Sequence, residues 1–138
     1  MESEFSHLYE AQLWLERAKD TIHASDINLK HELLLTAINR VYYSMFYCST
    51  ALLRSEGVVA KSHSGVINKF SELFIKTNRI SIIHSVNFRN AFEYRQSVDY
   101  DIEVSISEEE AKLLLQNAHD FYKASSDYLQ NLIRNSNL

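Results

Sequence analysis

The sequence predicts an all-α fold, an antiparallel bundle of about five helices, on the strength of its turn-forming residues, its hydrophobic spacing and its length. The 138-residue chain contains no proline and two glycines, whereas sheets, hairpins and long ordered loops draw on both residues at their turns. Apolar residues recur at alternating steps of three and four along most of the chain, the spacing that lines one face of a helix. A chain this long is expected to form one domain, residues 1–138, and to bury a core without disulfide staples.

The first helix carries Leu8, Ala11, Leu15, Ala18 and Ile22 on one face, with Asp26 and Asn28 read as the polar break after it. The second repeats the pattern with Leu34, Ile38, Val41, Met45, Cys48 and Leu52, and adds Leu35, Tyr42 and Phe46 beside the stripe. It must be covered on more than one side, which makes it the central helix, and Gly57 stands where a left-handed C-terminal cap falls. Ser62 or Ser64 caps a shorter helix carrying Val66, Ile67, Phe70, Leu73 and Phe74, ended by Thr77 and Asn78. A fourth helix is expected from about Ser81 to Ser97, followed by an extended connection over Asp99 to Ser105 in which Ile102, Val104 and Ile106 alternate with polar residues. That alternation would suit a short strand, but no second strand exists to pair with it. Ser107 and Glu110 form a capping box, and the last helix follows with Ala111, Leu114, Ala118, Phe121, Ser125, Tyr128 and Leu132. Residues from Asn131 to Leu138 read as a fraying tail.

Composition removes several classes of function. A net charge of −4 argues against a protein that coats nucleic acid through bulk positive charge, while leaving room for a local basic site. Cys48 is the only cysteine and lies in an apolar run, so it reads as a core residue and the compartment as cytoplasmic. No leader and no apolar run near the length of a membrane span is present, so neither secretion nor membrane insertion is expected. Di-iron bundles need a Glu-x-x-His on each of two helices, and only Glu4 to His7 has that spacing; no two histidines stand four apart. With only Gly57 and Gly65, neither a dinucleotide nor a Walker phosphate loop can be written, and no serine sits on a nucleophile elbow. Neither a metal nor another cofactor is expected.

Two groups of residues remain. In FRNAFEYRQSVDYD, residues 88–101, Arg95 shares a helical face with Phe88, Phe92 and Asp99. An arginine cannot be neutralised by losing its proton, and burying it is costly unless an anion meets it. That anion is either Asp99, one turn on, or a phosphate supplied from outside the chain. On the second helix, Arg40, Tyr43, Tyr47 and Arg54 share a face distinct from the Ile38, Val41 and Met45 stripe. This face is either a boundary where tyrosine hydroxyls reach water, or a contact surface for a partner or nucleotide.

The blocks RVYYSMFYCSTALL, KSHSGVINKF and FRNAFEYRQSVDYD, with an acidic-capped last helix after them, resemble the HEPN family (higher eukaryotes and prokaryotes nucleotide-binding domain) over about residues 8–125. The resemblance implies a four-helix core within a bundle of about five helices, commonly a homodimer. Its active members are metal-independent RNA-cleaving toxins or defence proteins, and many work beside a minimal nucleotidyltransferase that serves as antitoxin. Active members carry an arginine, four to six other residues and then a histidine near the end of the penultimate helix. Arg95 matches the arginine, but the histidine positions hold Tyr100, Asp101 and Ile102, so the motif is degenerate. Tyrosine titrates near ~10 and is a poor base at neutral pH, whereas histidine suits the activation of a ribose hydroxyl. Arg79 and His84 also fit the arginine-to-histidine spacing, but at the wrong end of the helix. A better substitute is His63 in KSHSG, provided that the fold brings it to Arg95; otherwise it serves only to bond backbone at a helix start.

The resemblance leaves two functions open. One is a ribonuclease with Arg95 on the scissile phosphate and Tyr100, Asp99 or His63 assisting. The other is a non-catalytic nucleotide-binding module docked on a nucleotidyltransferase, with Tyr100 as the residue that enzyme modifies. In either, Arg40, Tyr43, Tyr47 and Lys61 are the candidate contacts to RNA or nucleotide. A homodimer is expected to bring two Arg95 helix ends together across its axis.

Overall fold

Helical periodicity and caps divide the chain into five α-helices: α1 (Glu4–Lys30), α2 (Leu34–Ser55), α3 (His63–Phe70), α4 (Ile82–Tyr100) and α5 (Glu108–Asn135). The computed structural model describes residues 3–136, and no strand occurs among them. Serine side chains set most of the helix starts, since each hydroxyl accepts from one of the backbone N–H groups that a first turn leaves orphaned. Ser3, Ser62, Ser81 and Ser107 do this for α1, α3, α4 and α5. Of the two serines expected to cap α3, it is Ser62 that takes the Gly65 N–H, at 2.9 Å.

Contacts between named ends give the topology. Ser25 donates to the Ala37 carbonyl at 2.8 Å and Arg54 reaches Glu10 at 2.8 Å, so α1 and α2 run antiparallel. Tyr94 bonds Glu110 while His84 stacks on Phe121, so α4 and α5 are antiparallel as well. Asp26 meets His119, and Phe5 and Ile133 share one groove, which sets α5 against α1 in the same sense. Helices α1 and α4 therefore run one way and α2 and α5 the other, with short α3 at one flank. Central α2 packs against α1, α3, α4 and α5, and its Ile38, Val41, Tyr42, Met45, Cys48 and Leu52 are all essentially inaccessible. Burial pushes the Cys48 thiol up to about 12, with Ser125 opposing, so it stays protonated and inert.

Four local expectations need correction. Helix α1 does not stop at Asp26 and Asn28 but continues to Lys30, because Asp26 is used in the contact with α5 and Leu29 packs on the core. It ends where Glu32 takes φ 62°, with Leu33 N–H on the Asn28 carbonyl and Glu32 N–H on that of Leu29. This is a Schellman closure without its usual glycine, which the sequence could not announce. Helix α4 does not stop at Ser97 but runs to Tyr100, and Asp101 turns the chain by accepting from Glu103 N–H. The segment from there to α5 turns at residues 102–103 and is otherwise irregular, without a strand, as the lack of a pairing partner implied, and Ile102 is fully exposed. Helix α5 continues through the expected tail to Asn135, held by half-buried Leu132 and Ile133, while residues 137 and 138 lie outside the described ones. In the box at the start of α5, Glu110 accepts from the Ser107 hydroxyl and from Tyr94 rather than returning to the Ser107 backbone. A feature with no sequence signal is the π-helical turn over Ser71–Ile75, which leads α3 into the turn at Asn78, φ 59°.

Gly57 is the cap its position suggested. At φ +72° its N–H reaches the Arg54 carbonyl, and Val58 N–H closes on that of Leu53. A Cβ here would stand 2.6 Å from the His7 ring of α1. Gly57→Ala is therefore expected to lower unfolding free energy by about 2 kcal/mol, combining left-handed strain with a clash. Urea denaturation checks this.

Candidate functional site

Arg95 lies in the last turns of α4, on the side that carries buried Phe88 and half-buried Phe92. The packing of those two rings aims the guanidinium inward, across the end of α2. Its Cζ sits 5.2 Å from the centre of the Tyr42 ring and 5.3 Å from that of Tyr43, within cation-π range. Its Nε stands 3.2 Å from Asp99 Oδ2, so the expected ion pair one turn on exists. The pair is poorly made, because the Nε–H is buried and aligned with no acceptor among the described residues. A buried donor on a permanent cation without an aligned acceptor is costly, and the Asp99 carboxylate beside it offsets part of that cost.

The loop that enters α3 brings His63 to the same place. Its Nδ1 is 2.6 Å from the Tyr42 hydroxyl, the two rings stack at 5.7 Å with 11° between planes, and Phe46 packs at 4.7 Å. His63 thus shares Tyr42 with Arg95. Burial first, and the Arg95 charge second, hold the His63 pKa below the usual imidazole value of 6.5, so the ring is neutral at neutral pH. Burial also raises the Tyr42 pKa, against the pull of Arg95, so Tyr42 remains a neutral hydroxyl. Two tautomers satisfy the contact, with opposite chemistry at Nε2. With the proton on Nδ1, donated to Tyr42, Nε2 presents a lone pair and is a base. With the tyrosine donating instead, Nε2 carries the proton and is a hydrogen-bond donor.

The α2 stripe continues from this cluster. Arg40 lies 5.2 Å from the centre of the Tyr43 ring and bonds Asn39 Oδ1 from both Nε, at 3.1 Å, and Nη2, at 2.7 Å. Tyr43 is followed by Tyr47 at 6.1 Å. Other candidates stand apart. Tyr100 ends α4 with 85% of its surface exposed and no contact into the cluster. Lys61 is exposed in the loop before α3 and makes no ion pair among the described residues. The alternative pair fails as a site, since Arg79 is bound to Glu56 while His84 is buried against Phe121. No group of three or more metal-ligating side chains occurs among the described residues.

Sequence reasoning missed Tyr42, which touches both Arg95 and His63. Its place beside the apolar stripe marked it as core, and it is buried, yet its ring carries Arg95 and its hydroxyl meets His63. No periodicity argument separates the two ends of one side chain.

The HEPN domain matches residues 11–128 of this chain, which covers all five helices except the outer ends of α1 and α5. The chain belongs to the HEPN family. Relatives include a Methanocaldococcus jannaschii protein named "Putative toxin MJ0142", 36% identical over 136 residues, covering 97% of this chain and 92% of that protein. A UPF0332 protein of Thermotoga maritima is 32% identical over 123 residues, covering 89% and 93%. A second Methanocaldococcus jannaschii protein, "Putative toxin MJ0605", is 30% identical over 112 residues, covering 81% and 83%.

In this HEPN protein Arg95 and His63 therefore meet the same side chain, Tyr42, one over its ring and the other at its hydroxyl. Observed by NMR, the His63 ring is expected to titrate with a midpoint below 6.5. Arg95→Ala should move that midpoint upward without bringing it fully to 6.5, because burial is the larger cause. A midpoint indifferent to Arg95 would mean that the two charges do not meet.

Proposed function

We propose that this HEPN protein is a metal-independent ribonuclease of the toxin or defence type, working as a homodimer beside a nucleotidyltransferase antitoxin. The carrying observation is Arg95, a buried-side cation with an unspent Nε–H, resting on the same Tyr42 ring that bonds His63. The naming of two relatives as toxins supports the same reading. In the proposed reaction His63, with its proton on Nδ1 and shared with Tyr42, takes the ribose 2′-hydroxyl proton at Nε2. The 2′-oxygen attacks the neighbouring phosphorus and the bond to the 5′-oxygen breaks, leaving a 2′,3′-cyclic phosphate and a 5′-hydroxyl that takes its proton from water. Arg95 offsets the charge gathered on the phosphorane oxygens. Asp99 holds the guanidinium until the phosphate arrives. A two-fold arrangement of the α4 ends would double the positive charge on one phosphate in a protein whose net charge is −4.

The test is cleavage of a mixed RNA pool without added metal. Arg95→Ala and His63→Ala should each lose about a hundredfold or more in rate, and Arg95→Ala cleaving as well as wild type overturns the assignment. The rate of wild type should hold as pH drops through 6.5 and decline only at more acid pH, because the base must be unprotonated and its pKa is lowered. A decline centred above 6.5 would exclude His63 as the base.

One observation favours a second reading, a binding module regulated by its partner. Tyr100 is 85% exposed as the last residue of α4, where another enzyme could reach its hydroxyl. Nucleotidyl transfer from ATP would form an ester on that oxygen, release pyrophosphate and place a negative phosphate close to Arg95. Incubation with the cognate transferase and ATP should add one nucleotidyl mass to the Tyr100 peptide; an unmodified peptide removes this reading.

A further inference from the structure

One surface extends beyond the site. On the outer side of α2 the Tyr47 ring meets the ring of Trp14, from α1, at 5.7 Å. The Arg17 guanidinium lies 4.9 Å from the Trp14 ring centre and 5.9 Å from that of Tyr47. Counting outward from Arg95, the order is Tyr43 with Arg40 over it, then Tyr47, then Trp14 with Arg17 over it. All three rings are half-buried, with their bodies on the core and their rims in water. Neither Arg17 nor Arg40 has a carboxylate partner among the described residues. Arg54, 5.8 Å from the same Trp14 ring, does have one in Glu10, so positive charge is cancelled on that flank and left standing along the ladder.

Rings spaced one after another beside uncancelled guanidiniums are the arrangement that holds a single strand. Every base has a face to stack and every phosphate a charge, so binding of this kind tolerates sequence. A duplex keeps its bases inside and cannot use the rings. We infer that Tyr43, Tyr47 and Trp14, with Arg40 and Arg17, form a track for unpaired RNA that leads a strand of a few nucleotides to Arg95. The inference rests on the ribonuclease reading for the track's destination, but strand binding can be measured without cleavage.

Trp14 is the only tryptophan, so its emission reports from the outer end of the track. The probe is a mixed-sequence 12-nucleotide RNA with a 2′-O-methyl on every ribose, which removes the nucleophile and prevents cutting. Full-length protein should show saturable quenching of Trp14, lost progressively as salt rises, and much less quenching by the same strand annealed to its complement. By anisotropy of a labelled strand, Arg17→Ala and Trp14→Ala should each bind roughly tenfold more weakly, as the loss of one stacked base or one phosphate contact entails. Arg17 is exposed, so its variant tests the track even if Trp14→Ala folds poorly. Binding by both variants equal to wild type overturns the track even where ordinary RNA is cut in an Arg95-dependent way. Quenching by the methylated strand without any cleavage of ordinary RNA upholds the track and removes the ribonuclease. Emission that tracks protein concentration and ignores RNA would show a second copy of the chain lying on this face, and would also overturn it.

Discussion

Everything distinctive about this bundle depends on a guanidinium held against the buried ring of Tyr42. The ring itself is core, packed between Phe88 and Phe92 of α4 and His63 of α3. Burial of the ring gives the cation above it and the imidazole at its hydroxyl a common anchor. The three groups come from three helices, and the hydrophobic core is what fixes their relative positions. A site built on packed helices is held more tightly than one built on loops, as acid-base and phosphate chemistry require.

The same contact explains the protonation pattern. A permanent charge beside an imidazole makes a second charge unwelcome, and burial acts in the same direction, so His63 stays neutral. Tyr42 is pulled the other way by Arg95, yet desolvation dominates and the hydroxyl keeps its proton. The result is a neutral pair next to one fixed positive charge. In the proposed reaction the imidazole would take up the proton and the charge would balance the phosphate.

The fold was legible because its signals are redundant. Proline absence, helical spacing and serine caps all pointed to the same bundle, and the apolar stripes were correctly placed except at the start of α2, where Leu35 was expected to be covered and is exposed. Helix ends were read less well for a physical reason: α1 and α5 are prolonged by tertiary contacts of Leu29, Leu132 and Ile133, and α1 closes on Glu32 instead of a glycine. Within the site, Arg95 stood out because a cation on an apolar stripe demands an anion. Trp14 and Arg17 did not, because each is ordinary on its own helix, and only the crossing of α1 over α2 makes them neighbours of Tyr47. Where His63 lies was open in the sequence, because its position turns on a single long-range contact, the one to Tyr42.

Asp99 gives the arrangement its reversibility. A well-formed buried ion pair resists exchange, since separating the partners strands a charge in a poor solvent. Here the carboxylate is the more exposed partner, 38% against 22% for the arginine side chain, and the Nε–H does not point at it. Removing Asp99 from the pair therefore returns a carboxylate to water at small cost, while the arginine gains an acceptor it can align with. The i, i+4 pair, which by spacing alone competes with a phosphate ligand, is better understood as its placeholder. It keeps a partly buried cation compensated in the free protein, and under the proposed reaction it would give way to an anion with more oxygens and more charge.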